Sequence, residues 1–277
     1  LDYSGLEVRI AACYHKDPMM IKYIEDPTTD MHADMAKQIF MINEFDKDQP
    51  SHNLLRQAAK NGFVFPEFYG DYFKNCAENM ACGWGKLPHG KWTRGQGVQL
   101  DTENFTLSDH LIAKGITSLD KFTEHVKDIE KDFWGNRFAG YAKWKERWWK
   151  EYKKKGYVEL YTGFQCSGVM SKNDTLNYPV QGAAFHCLLW SFIKLDKIIR
   201  KKGWNTRLVG QIHDSIILDV DPAELEDVVK TAYRVTCKDL PKAWDWIIVP
   251  LDIEIELAPV DCSWAEKEKY EFKYFFV

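Results

Sequence analysis

The stretch Leu208–Val220, LVGQIHDSIILDV, is two short runs of β-branched and aliphatic residues separated by Gln211, His213, Asp214 and Ser215. Runs of this kind with a polar break predict a β-hairpin whose tight turn carries His213 and Asp214. A carboxylate at the tip of a hairpin with apolar flanks is held rigidly and aimed outward, as a metal ligand must be. Taken alone, a His-Asp turn is more often simply solvated. The other end of the chain adds weight.

That end reads LDYSGLEVRIAACYHKD. Asp2 closes a predicted strand, and Glu7 and Arg9 then enter a helix. By itself Glu7 is a helix-start acid, favourable to the helix dipole. Together, DYSGLEVR and QIHDS resemble motifs A and C of the family A DNA polymerases, the bacterial polymerase I and phage replicase group. The resemblance continues through the chain, with its motifs in order.

The 277 residues are enough for a sizeable core, and 45% hydrophobic content is that of an ordinary soluble globular protein. No apolar run approaches the ~20 residues of a membrane span. Seven cysteines, an odd number without a C-x-x-C pair, predict reduced thiols in a cytosolic setting, serving as core filler. The net charge of −4 says less about a nucleic-acid partner than the distribution of charge does. Lys143, Lys145, Arg147, Lys150, Lys153, Lys154 and Lys155 form one basic run, interleaved with Trp144, Trp148 and Trp149. A basic run is usually a solvated helix face, but interleaved aromatics favour a nucleic-acid surface.

Along the chain, Asp17-Pro18 reads as an N-cap with proline at the first helical position. Asp30 opens a helix bearing His32 and running to about Phe40. Ser51 is expected to cap the next, which presents Arg56 and Lys60 on one face, ~6 Å apart in rise. The segment RQAAKNGFVFPEFYG resembles the family's motif B, with Arg, Lys, an aromatic and then Tyr69-Gly70. Tyr69 falls nine residues after Lys60, one more than the usual pattern. Counting back from Tyr69 favours Phe65 over Phe63 as the nucleotide-stacking aromatic. Pro66 cannot donate an N–H, so a break or bulge is expected between Lys60 and Pro66. Glycines and a proline make 83–107 a loop-rich insertion. Helical periodicity returns over 118–134 and 138–155, and Gly156 ends it before a strand and turn. Asn177-Tyr-Pro-Val-Gln181-Gly resembles the family's N-x-P-x-Q-G, with Pro179 in the first turn of a helix that closes at Gly203. Asp221-Pro222 caps a helix to about Cys237, and 247–257 reads as one strand of alternating apolar and acidic residues.

The resemblance implies an α+β chain with the right-hand polymerase fold. Residues 1–22 and 157–277 would form a palm with an antiparallel sheet and the catalytic hairpin, and 23–156 mostly helical fingers. The thumb and the upstream palm would be absent from this chain. The resemblance implies template-directed DNA synthesis by two-metal phosphoryl transfer, in phage or bacterial replication and so in the cytoplasm. Asp2, Asp214 and the carbonyl of Tyr3 would hold two Mg2+ ions. Glu7, His32, Arg56, Lys60, Phe65 and Tyr69 would meet the deoxynucleoside triphosphate. Arg9, Asn177, Gln181, Gln211, His213 and the lysines Lys153, Lys154 and Lys155 would meet primer–template DNA. Ser215 stands where the family commonly has a third acid. The expected partners are DNA, nucleotide and an upstream polypeptide carrying the missing parts, without which the chain is expected to be inactive; no membrane partner is expected. A single-subunit RNA polymerase shares D-x-S-x-S-G and H-D-S motifs, but Glu7 and the Asn177–Gly182 helix favour DNA. A non-catalytic primer–template binding module is opposed by the retention of both acids and of Arg56 and Lys60.

Overall fold

In the computed structural model, which describes residues 1–46, 48–82, 98–100 and 105–271, the expected hairpin forms from antiparallel strands Arg207–Ile212 and Ser215–Asp219. His213 takes a positive φ of 52°, the left-handed backbone that a tight hairpin turn needs to match strand twist. The Gln211 side-chain amide donates to the His213 carbonyl at 2.6 Å and braces that turn. Strand Asp2–Tyr3 lies beside the hairpin, and strand Ile253–Glu254 lies beyond it. Asp2 is opposite Ser215 on one side and Glu254 on the other. A four-stranded antiparallel sheet amid helices makes the chain α+β.

The chain folds as two compact units, Leu1–Lys16 with Trp144–Val277 and Asp17–Lys143. The first holds the sheet. Its helix Leu6–His15 starts at Gly5, which has φ 59° with open space around the position of a Cβ. Glycine is therefore suited to that turn by backbone conformation rather than by crowding. Leu6, Ile10 and Cys13 are buried, and the helix packs against the long helix Lys172–Lys202.

That long helix begins earlier than expected. Ser171 and Asp174 form a capping box, so Pro179 lies inside the helix and not in its first turn. An interior proline leaves the carbonyl four residues back without its N–H donor. Here that carbonyl belongs to Thr175, and Trp148 Nε1 donates to it at 3.1 Å. Trp144 is also buried, and Tyr14 packs edge-on to Trp144 and Trp148 and stacks on Tyr161. Two of the three tryptophans interleaved with the basic run thus serve the interior. Trp149 stacks on Tyr152 and lies under the Lys153 ammonium.

The second unit is helical. Asp17 caps Pro18–Glu25 and accepts the Tyr141 N–H at 3.0 Å, while Asp30 caps Met31–Phe40 and Ser118 caps Leu119–Asp132. Ser51 is not a cap: helix Pro50–Ala59 starts after Gln49, with Pro50 at its first position, where its missing N–H costs nothing. Phe63, Phe68, Phe133 and Phe138 form an aromatic core. Of the 83–107 insertion, 83–97 and 101–104 lie outside the described residues. The described ends pair through a single antiparallel bridge, Gln99 to Thr106.

The stretch 247–257 alternates as expected, with Leu251, Ile253 and Ile255 buried, but it is not one strand. Pro250 lacks a donor, and the paired pieces are only Ile253–Glu254 and Glu256–Leu257, which join different partners. The helix after Pro222 also outruns Cys237, passing through a π-turn, Arg234–Asp239, into Leu240–Ala243. Four cysteines, Cys13, Cys76, Cys187 and Cys237, are buried. Trp148→Phe removes the donor to the Thr175 carbonyl while keeping an aromatic ring. It is expected to lower stability by about 1–3 kcal/mol in denaturant titration; an unchanged midpoint would show that the carbonyl is satisfied without it.

Candidate active site

In the sheet unit, strand register brings together the two acids read from opposite ends of the sequence. The Tyr3 N–H donates to the Asp214 carbonyl at 3.3 Å, and the Ser215 hydroxyl donates to Asp2 Oδ1 at 2.6 Å. Burial, and then the negative charge of Asp2, holds the Asp214 carboxyl above its usual range; Glu7 adds to the same effect. A carboxylate held beside a second carboxylate in this way forms a site whose repulsion a divalent cation would relieve. The hard oxygen donors fit magnesium. Among the described residues no group of three or more His, Cys, Asp or Glu gathers as a metal cluster.

Tyr3 is buried, and its phenol shares a 2.7 Å hydrogen bond with the Ser191 hydroxyl on the long helix. Sequence reading did not anticipate that bond. Its trace was available: Ser191 is the one polar residue on the face formed by Val180, Ala184, Leu188 and Leu195. Arg9 spends Nε on the Ser4 carbonyl at 2.7 Å and a terminal nitrogen on the Pro250 carbonyl at 2.5 Å. It braces the turn between strand and helix. Gln181, Gln211, His213, Lys153, Lys154 and Lys155 are exposed, and Asn177 is half-buried.

In the helical unit the expected bulge is a π-turn, Lys60–Val64, closed by the Phe65 N–H bonding to the Lys60 carbonyl. A π-turn absorbs one residue beyond an α-turn, which accounts for the extra residue between Lys60 and Tyr69. It also carries the chain into Pro66 at the start of helix Phe65–Tyr69, where the missing donor is tolerated. With five residues per closure, Phe65 returns to the face of Lys60, and the Lys60 ammonium lies 5.2 Å from the Phe65 ring centre. The His32 ring meets Phe65 edge-on at 5.7 Å. Phe63 points inward and is fully buried against Phe133. Arg56 Nε pairs with Asp30 Oδ2 at 2.8 Å, which orients its guanidinium. Tyr69 is exposed at the end of the short helix. Burial, then Arg56 and Lys60, lowers the His32 pKa to about 4, and Nδ1 of His32 is buried without a hydrogen-bond partner among the described residues.

The family model for DNA polymerase family A matches residues 113–266, more than half of the chain. The chain belongs to DNA polymerase family A. Curated relatives include the DNA polymerase I of Aquifex aeolicus, 28% identical over 87% of this chain and 36% of that protein. The DNA polymerase of Bacillus phage SP01 is 28% identical over 84% of this chain and 22% of its own length. The DNA polymerase I of Lactococcus lactis is 32% identical over 91% of this chain and 24% of its own length. The chain thus spans about a third or less of the relatives it matches. A solved structure, the POL domain of Pol1 from M. smegmatis in complex with DNA primer-template and dNTP, shares the fold with a TM-score of 0.59 at 19% identity. It covers 91% of this chain and 37% of that one.

The cation-and-aromatic face of the helical unit makes a pH prediction. Unfolded His32 takes a proton near its ordinary value of 6.5, whereas folded His32 resists until about pH 4. Stability from this group is therefore lost as pH falls from 6.5 toward 4. NMR titration of the full chain is expected to place the His32 midpoint near 4, rising when tripolyphosphate is added. A midpoint near 6.5 would show that neither burial nor the charges of Arg56 and Lys60 hold the ring neutral.

Proposed function

We propose that this chain carries the catalytic acids and nucleotide-contacting face of an enzyme that adds deoxynucleoside triphosphates to a primer 3′-hydroxyl on a DNA template. The observation that carries the reading is the register that sets Asp2 opposite Ser215 and so beside Asp214 in the hairpin turn, in a chain of family A. Phosphoryl transfer asks little covalent chemistry of a protein; it asks for charge neutralisation and alignment. Asp2 and Asp214, with the carbonyl of Tyr3, would hold two magnesium ions. When bound, these supply the Lewis-acid chemistry that activates the primer hydroxyl and stabilises the departing pyrophosphate.

The chain's own groups do the rest. Lys60 and Arg56 balance the triphosphate, with Asp30 fixing the direction of Arg56 and His32 offering a neutral imidazole. Phe65 presents its ring to the base or sugar, and Tyr69 ends the same face. Glu7 lies within electrostatic reach of Asp214 and is assigned the exclusion of a sugar 2′-hydroxyl. Gln181 and Asn177 would meet the minor groove, where amides reach acceptors common to all base pairs. Gln211 and His213, beside Asp214, would meet the primer end. Lys153, Lys154 and Lys155 would hold backbone phosphates. Arg9, spent largely on carbonyls, supports the acid strand and has only its remaining N–H groups for DNA.

The activity is proposed for the chain working with a polypeptide that supplies the thumb and the remaining palm, in bacterial or phage DNA replication. Asp214→Asn, assayed in such a complex, is expected to cut primer extension by orders of magnitude while DNA binding persists. The substitution removes charge stabilisation of the transition state and leaves the basic grip intact. Near-normal turnover would refute the assignment. Neutralising Lys153, Lys154 and Lys155 is expected to weaken DNA binding and flatten its salt dependence, by up to ~0.9 in log–log slope for each phosphate no longer neutralised. An unchanged slope would mark the run as a solvated helix end.

A further inference from the structure

We propose that Ser215 is a positioning residue for the metal-holding carboxylate of Asp2. The inference rests on the reading of Asp2 and Asp214 as the metal pair, and it adds a neutral third member. Asp2 and Ser215 are directly opposite in the sheet. At that pairing the Ser215 hydroxyl donates to Asp2 Oδ1 at 2.6 Å, the short range of a hydrogen bond to an ionised acceptor.

The need for such a donor follows from the surroundings. The strand that carries Asp2 is only two residues long. On the hairpin side its backbone is tied by the Ile216 N–H to the Leu1 carbonyl at 2.8 Å and by the longer Tyr3-to-Asp214 bond at 3.3 Å. These bonds fix the backbone and leave the Asp2 side chain free to turn. Beside it stands Asp214, a group of like charge, which favours any rotamer that carries the Asp2 carboxylate away. The Ser215 hydroxyl opposes that turn. It occupies one carboxylate oxygen and adds no charge of its own.

The next residue is anchored in the same manner from the other side. The Tyr3 phenol is held by the Ser191 hydroxyl at 2.7 Å in the interior, so the carbonyl between strand and turn is steadied while Ser215 steadies the acid. Two serines, one on the hairpin and one on the long helix, thus fix two successive groups of a strand too short to fix them itself. The Ser191 bond acts on the backbone and core. Ser215 alone of the two touches the carboxylate, so it is the residue whose loss should be read in cation affinity.

The test is direct cation binding by the full chain, using Mn2+ alone as the probe and the electron paramagnetic resonance signal of free Mn2+ as the readout. Melting without metal reports the fold. Wild type is expected to bind saturably, and Asp214→Asn to lose that binding. Ser215→Ala is expected to weaken it roughly tenfold, the scale of losing a partner that orients a metal ligand. Ser215→Thr, which keeps the hydroxyl, is expected to restore most of it. Should Ser215→Ala melt too early to titrate, Ser215→Cys, similar in size but a weak donor, is expected to show the same loss. Wild-type affinity in Ser215→Ala, with binding lost in Asp214→Asn, would overturn the Ser215 assignment and leave the metal pair standing. A Ser215→Thr variant as weak as Ser215→Ala would overturn it too. Binding that Asp214→Asn leaves intact, or no saturable binding by wild type, would bring down the metal reading and the role of Ser215 with it.

Discussion

Two carboxylates of like sign, Asp2 on a short strand and Asp214 in the neighbouring hairpin turn, are held close together, and the sheet unit is arranged around that constraint. Asp2 comes from a two-residue strand and Asp214 from a hairpin turn with a left-handed residue before it. Left to themselves, such groups would separate or take up a proton, and burial, then the charge of Asp2, holds the Asp214 carboxyl above its usual range. The sheet counters it through strand pairing on both edges of Asp2–Tyr3 and through serine hydroxyls on both of its side chains. Arg9 ties the following turn to the carbonyls of Ser4 and Pro250. A protein gains nothing in stability from such a pair. On the proposed function, what it gains is a place for a divalent cation.

The helical unit solves a different problem with a local device. A lysine and an aromatic five residues apart would face different ways on a regular α-helix, and a proline directly after the aromatic would meet the carbonyl four residues back. The π-turn Lys60–Val64 settles both, since its wider closure brings Phe65 round to Lys60 and starts a new helix in which Pro66 occupies an early position. The same combination recurs at Arg234–Asp239 before Pro241. In each case one residue more than an α-turn lets a proline follow without ending the helical path.

Legibility in the sequence followed how local the determining physics is. The hairpin, the helix starts at Asp17 and Asp30, the closure at Gly203 and the bulge before Pro66 rest on neighbouring residues, and each could be read. The acid pair was legible only through its motifs, because no local rule brings residue 2 beside residue 214. Misreadings arose where a distant partner overrode a local signal. Pro179 looked like a helix start, because the Trp148 indole that satisfies the freed Thr175 carbonyl is remote in sequence. Trp144 and Trp148 looked like surface aromatics because their charged neighbours are exposed while they themselves turn inward. Ser215 was noticed as a missing acid and not as a donor, since its partner is at the opposite end of the chain. The brace that Arg9 forms is hidden in the same way, because the carbonyl of Pro250 that it holds is far away in sequence.

The central claim is that Asp2 and Asp214 together hold divalent cations. It is tested most directly by letting Fe2+ bind in place of magnesium and generating hydroxyl radicals with ascorbate and peroxide, which cut the backbone within reach of the bound iron. Cuts confined to the turn at His213–Ser215 and to the strand at Asp2–Tyr3, suppressed by excess Mg2+, are the result expected of a shared site. Cuts at only one of the two segments, or at neither, would contradict it.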